Sequence, residues 1–129
     1  MPQRLALTAL LVAEYDPAIA FFVDRLGFSL VADTPQGDGK RWVVVAPPGA
    51  GSGGLLLARA ADEAQRAAIG RQGGGRVFLF LETDDFDRDH ARMAAAGVRF
   101  LEAPRRESYG SVAVFEDLCG NRWDLIERR

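Results

Sequence analysis

The sequence predicts an α+β fold made of two βαβββ modules in tandem. Two observations carry this. Apolar residues recur at strand spacing, then helix spacing, then strand spacing again, and this order occurs twice. The chain also repeats itself: Glu14-Tyr15-Asp16 matches Asp85-Phe86-Asp87 at an offset of 71, and Leu26-Gly27-Phe28 matches Ala96-Gly97-Val98 at an offset of 70. Two copies are too few for a solenoid and suit a pseudo-symmetric domain.

The first module spans about 4–59. Leu5 to Ala13 reads as a strand. Asp16-Pro17 opens a helix, because Asp accepts backbone N–H bonds and Pro fits a first turn. Ala18, Ile19, Phe22, Val23 and Leu26 form its apolar stripe, and Gly27 ends it. Phe28 to Ala32 is the next strand. Asp33 to Gly39 is a turn by composition, Arg41 to Ala46 a strand, Pro47 to Gly54 a loop and Leu55 to Ala58 a strand. A helical segment, Ala60 to Ile69, and the glycine-rich 71–75 form a linker. The second module, about 76–129, repeats the order. Its strand is Arg76 to Glu82, and Asp84 or Asp85 caps a helix over Phe86 to Ala96. Val98 to Glu102 is a strand, Ala103 to Gly110 a charged loop, Ser111 to Phe115 a strand, Glu116 to Asn121 a turn and Arg122 to Ile126 the last strand.

A chain of 129 residues is expected to be a single domain, and it buries enough surface to fold without metal or disulfide. The hydrophobic fraction is 48% and the charged fraction 26%, as in an ordinary globule. A net charge of -2 gives no reason to expect nucleic acid or an anionic membrane. No apolar run approaches a membrane span, and no leader pattern opens the chain, so the expected location is cytoplasmic. The single cysteine, Cys119, excludes an intrachain disulfide and reads as a small turn residue.

Three stretches then resemble the vicinal oxygen chelate superfamily, which includes glyoxalase I, extradiol dioxygenases and bleomycin-resistance proteins. They are Val12 to Phe28, Glu82 to Val98, and Phe115-Glu116-Asp117-Leu118-Cys119-Gly120-Asn121-Arg122-Trp123-Asp124-Leu125; the duplication is the fourth shared feature. The resemblance implies sheets curved round a cup, helices on the outer face, and a homodimer. Metal-dependent members hold a divalent ion on four strands. Carried over, those positions fall on Leu7, on Leu56 or Leu57, on Phe78, and on Asp124. Three are apolar, and one carboxylate cannot hold a hard cation against water. No metal and no other cofactor is therefore expected.

The remaining candidates follow from residue chemistry. Asp124 alternates with Trp123 and Leu125, so it faces away from them. It is either an acid, base or ligand anchor in an apolar cup, or the partner of an arginine such as Arg76 or Arg122. Phe78 and Phe80 line the cup with Leu7 and Leu57, or else fill it as core. Trp42 either stacks on a planar ligand or packs internally. Gly73 to Gly75 expose backbone N–H groups to an anion or act as a hinge. Tyr109, in the loop with Arg105, Arg106 and Glu107, enters the pocket as a proton donor or stays with a solvated loop. His90, the only histidine, lies on the helix face that covers the back of the sheet. The expected function is binding of a small, partly apolar organic ligand in a metal-free cup. The alternative is a glyoxalase-like lyase or isomerase using Asp124, with extradiol dioxygenase chemistry disfavoured. A filled cup in a regulatory domain is a third reading.

Overall fold

A computed structural model describes residues 1–49, 51 and 53–129. The chain forms two compact units, Met1–Ile69 and Gly70–Arg129.

In the first unit, β1 (Leu7–Val12) leads to α1 (Tyr15–Ala20), which continues as a π-helical turn over Phe21–Arg25. Then come β2 (Ser29–Gly37), β3 (Lys40–Ala46), β4 (Gly54–Arg59) and α2 (Glu63–Ala68). The sheet order is β1-β4-β3-β2, with β1 and β4 parallel and the other pairs antiparallel. The helix packs on β3 and β4. Ala18, Phe22 and Leu26 are buried at four-residue spacing, facing Leu10, Val43, Val45 and Leu57. Each of these side chains larger than alanine contributes about 1.5–3 kcal/mol when fully buried.

In the second unit, β5 (Val77–Glu82) leads to α3 (Phe86–Ala95), β6 (Arg99–Phe100), β7 (Arg105–Glu107), β8 (Gly110–Glu116) and β9 (Arg122–Arg128). The order is β5-β9-β8-β6, with β5 and β9 parallel and β7 also paired to β8. The first strand of each half thus lies beside its last. α3 packs on β9 and buries Phe86 and Met93. Aromatic contacts run from Phe86 through His90 and Phe100 to Phe115 and Trp123. His90 sits in this row, half-buried on the helix side of the sheet, as its helical spacing predicts.

Several elements depart from the sequence reading. Asp16 does not cap α1; Glu14 holds the cap position without a side-chain bond, and Asp16 bonds Arg41 from the first turn. The turn predicted over Asp33 to Gly39 is mostly strand. β2 is an edge strand, where Pro35 forfeits no essential ladder bond. The turn is only Asp38-Gly39, with φ 55° and 77°, the positive pair that two-residue hairpins favour. The charged loop after Pro104 contains β7, joined to β8 through Ser108-Tyr109. The predicted loop from Pro47 to Gly54 includes Ala50 and Ser52, which lie outside the described residues.

Asp85, rather than Asp84, caps α3 by accepting from Arg88 N at 3.1 Å. α2 lies within the first unit and contacts β1. Gly73 to Gly75 form a turn in which Gly74 N and Arg76 N donate to the carbonyls of Arg71 and Gly73. Among the described residues, no helix is long and apolar enough to cross a membrane.

Candidate functional site

Strand register sorts the first unit's side chains into two faces. Leu10, Leu57 and Val43 align across β1, β4 and β3 on the face that α1 covers. Ala9, Leu56 and Val44 align on the other face, with Leu7, Leu11 and Ala58 on neighbouring rows. Leu7 and Trp42 are about 40% and 39% exposed there. Leu57 is 0% exposed, which corrects its placement on the open face. The side chain that register puts there is Leu56.

The ladder between β3 and β4 runs only from Val45↔Leu55 to Val43↔Leu57. Beyond it, β3 stays with β2 and β4 stays with β1, so the two strands part. Tyr15, only 5% exposed, accepts the Arg41 N–H on its hydroxyl at 3.1 Å. A hollow of about 690 Å³ opens where the strands part, bordered by Lys40, Trp42, Leu56, Ala58 and Arg59.

In the second unit, Phe80 pairs with Asp124 across β5 and β9, and Asp124 with Val114 across β9 and β8. Phe80 is 67% exposed, so this face carries a large uncovered aromatic ring. A register break between Val77 and Leu79 takes Phe78 out of the ladder, and Phe78 is half-buried against Gly73. The alternation expected to place Phe78 and Phe80 together is therefore interrupted.

Asp124 is half-buried, and its Oδ1 has no hydrogen-bond partner. Neither Arg76 nor Arg122 pairs with it among the described residues; both are exposed. Burial pushes the Asp124 carboxyl above its ordinary range. The nearby Arg105 charge opposes that shift, and Glu102 adds to it.

Arg105 is the residue that sequence reasoning undervalued. It donates to both Glu102 oxygens at 3.1 Å and to Glu107 at 3.3 Å, and its guanidinium also interacts with the Tyr109 hydroxyl. Glu102 in turn accepts from Val114 N at 3.0 Å, closing the gap on β8 between β6 and β7. The two candidates for proton chemistry, Asp124 and Tyr109, thus both interact with Arg105. Tyr109 is 49% exposed in the hairpin turn. Its loop position was legible, but its neighbour was not, because the pairing depends on β7 folding back on β8.

Asp117 was also missed. It is buried, and it accepts from Cys119 N and Asn121 N on Oδ1, and from Asn121 Nδ2 and Trp123 Nε1 on Oδ2. These bonds fix the turn that delivers β9, and so the position of Asp124. Cys119, in the same turn, has its thiol pushed up to about 11 by burial and by the Asp117 charge. It is not a poised nucleophile.

Residues 4–125 match the profile of the Glyoxalase/Bleomycin resistance protein/Dioxygenase superfamily. The chain belongs to this superfamily. A protein of Shewanella frigidimarina is 54% identical over 128 residues, covering 98% of this chain and 95% of that one. Among solved structures, UcmS2 aligns with a TM-score of 0.84 at 28% identity, covering 98% of both chains. TnmS3, an antibiotic binding protein from Streptomyces sp. CB03234, aligns with a TM-score of 0.78 at 32% identity, covering 99% of this chain and 98% of its own.

The divalent ion of metal-dependent members of the superfamily does not fit this donor set. Leu7, Leu56 and Phe78 offer no lone pairs, and Glu102 is already engaged by Arg105 and Val114 N. Asp124 is left as the single carboxylate. Among the described residues, no three His, Cys, Asp or Glu side chains gather as a metal site.

Proposed function

We propose that this superfamily member binds a small, partly apolar organic molecule without a metal ion. One observation carries the reading. On the face of the second sheet not covered by α3, the exposed Phe80 ring lies across from Asp124, whose Oδ1 is buried without a partner. A solvent-excluded acceptor beside an uncovered ring costs stability and makes sense where a ligand supplies the missing donor. The likeness to an antibiotic binding protein supports the same reading.

The test is a thermal-shift screen of neutral aromatic amides and alcohols against EDTA-treated protein, followed by calorimetry on the hits. Phe80→Ala should weaken a hit about tenfold, the loss of roughly 1.4 kcal/mol. Binding that appears only after a divalent metal is restored would sink the proposal, as would hits indifferent to Phe80→Ala.

The raised Asp124 carboxyl and its shared neighbour with Tyr109 favour a second reading, a glyoxalase-like lyase or isomerase. There Asp124 acts as the base and Tyr109 as a proton donor. Asp124→Asn would then abolish turnover while leaving ligand affinity largely intact.

A further inference from the structure

We propose that the gap between β3 and β4 in the first unit is an anion-recognising subsite, which takes a small planar molecule bearing a carboxylate or similar group. The inference goes beyond the proposed function: it places a second site on the first unit, for an anionic ligand, and shares with that reading only the view of the protein as a small-molecule binder.

The gap is built rather than incidental. Past Val43 and Leu57 the two strands stop pairing, and the Tyr15 hydroxyl takes the N–H of Arg41 near the point of parting. The hollow of about 690 Å³ lies within the range of small-ligand pockets. Its apolar wall is Leu56, Ala58 and the half-exposed Trp42 indole, a surface suited to a flat ring.

Its charge is one-sided. Among the described residues, the charged side chains that line it are Lys40, Arg41 and Arg59, while the carboxylates of Asp16, Asp33 and Glu14 pair with the two arginines from outside the lining. The three cations differ in what they have left to give. Arg41 is spent: it donates to Asp33 at 3.0 and 2.7 Å and to Asp16 at 2.9 Å. Arg59 lies 5.2 Å from the centre of the Tyr15 ring, and its ion pair with the exposed Glu14 is stretched to 3.8 Å, beyond hydrogen-bond reach. Lys40 has no ion pair among the described residues. Two cations with unused donors beside an open indole are complementary to an anion joined to an aromatic ring.

The test uses 2-naphthoate and its neutral counterpart 2-naphthamide, followed by NMR of the two indole N–H signals. Trp42 should shift with 2-naphthoate. Trp123, buried and bonded to Asp117, should stay still and serve as the internal control. The amide should bind at least fivefold more weakly, and rising salt should weaken the naphthoate alone. Arg59→Gln and Lys40→Gln should each cost about three- to tenfold in naphthoate affinity and leave the amide unchanged. Lys40 is the chain's only lysine, so naphthoate should also slow its acylation in the unmodified protein, a readout independent of any variant's folding.

Equal binding of the two probes, or no Trp42 shift with either, overturns the anion subsite. Neither outcome touches the Phe80 and Asp124 reading, which is tested by neutral ligands on the other unit. Conversely, a Trp42 shift that persists in Phe80→Ala, in which neutral hits are unaffected, would uphold this subsite while that reading fails.

Discussion

Replacing Asp124 with Asn should make the protein more stable at neutral pH. In the unfolded chain the carboxyl loses its proton near the ordinary aspartate value of 3.8. In the folded chain burial holds the proton to higher pH. Through that window the folded state binds more protons than the unfolded state, so its stability falls as pH rises. The loss stays in place above the folded pKa. A buried acceptor without a partner costs about 1–3 kcal/mol. Asp124 is only half-buried, and Arg105 offsets part of the cost, so about 1 kcal/mol is expected at pH 7. A neutral amide carries little of that penalty. Asp124→Asn should therefore raise Tm by about 3–5 °C at pH 7. The difference should vanish near pH 3, where the carboxyl is protonated in both states. Paired urea melts from pH 3 to pH 8 measure it. A variant less stable than the parent at pH 7 would mean that Arg105 outweighs burial, and the argument for a ligand-seeking carboxylate would fall with it.

Two further outcomes follow from the turn that delivers β9. Asp117→Ala removes the acceptor for four donors and should cost about 3–5 kcal/mol in urea denaturation. Asp117→Asn should cost less, because its oxygen still receives Cys119 N and Asn121 N; equal losses would show that these two backbone bonds contribute nothing. Cys119 should alkylate with iodoacetamide at pH 8 about 100-fold more slowly in the folded protein than in urea, as its raised thiol pKa requires. A folded-state rate matching the unfolded one would refute that shift.

The architecture was legible because its signals are local. The α3 start follows from Asp85 before an apolar stripe, and the repeat fixed the order of both halves. The errors share a cause. Pro, Gly and Asp in 33–39 signal a turn by composition, yet an edge strand tolerates Pro35, and only Asp38-Gly39 needs positive φ. A one-residue choice between Leu56 and Leu57 reverses which side chain meets the open face, and only the pairing with β3 decides it. The Asp124 environment depends on Glu102 and Arg105, which reach it because β7 folds onto β8. Nothing in the local sequence announces that pairing. Tyr15 read as a repeat marker, and its role between the β3 and β4 strands appears only once they part.

The parallel pairing of β1 with β4, and of β5 with β9, also constrains synthesis on the ribosome. Neither sheet is complete when its opening strand emerges, because the neighbour of that strand is made last. Until Arg59 has cleared the exit tunnel, one edge of β1 waits unpaired, and β5 waits in the same way for Arg128. Such long-range closure is slow and leaves strand edges open to wrong partners. The first unit completes its sheet before β5 is made. The second depends on β9, so a nascent chain arrested before β9 carries one complete sheet and one that still lacks the strand joining β5 to β8.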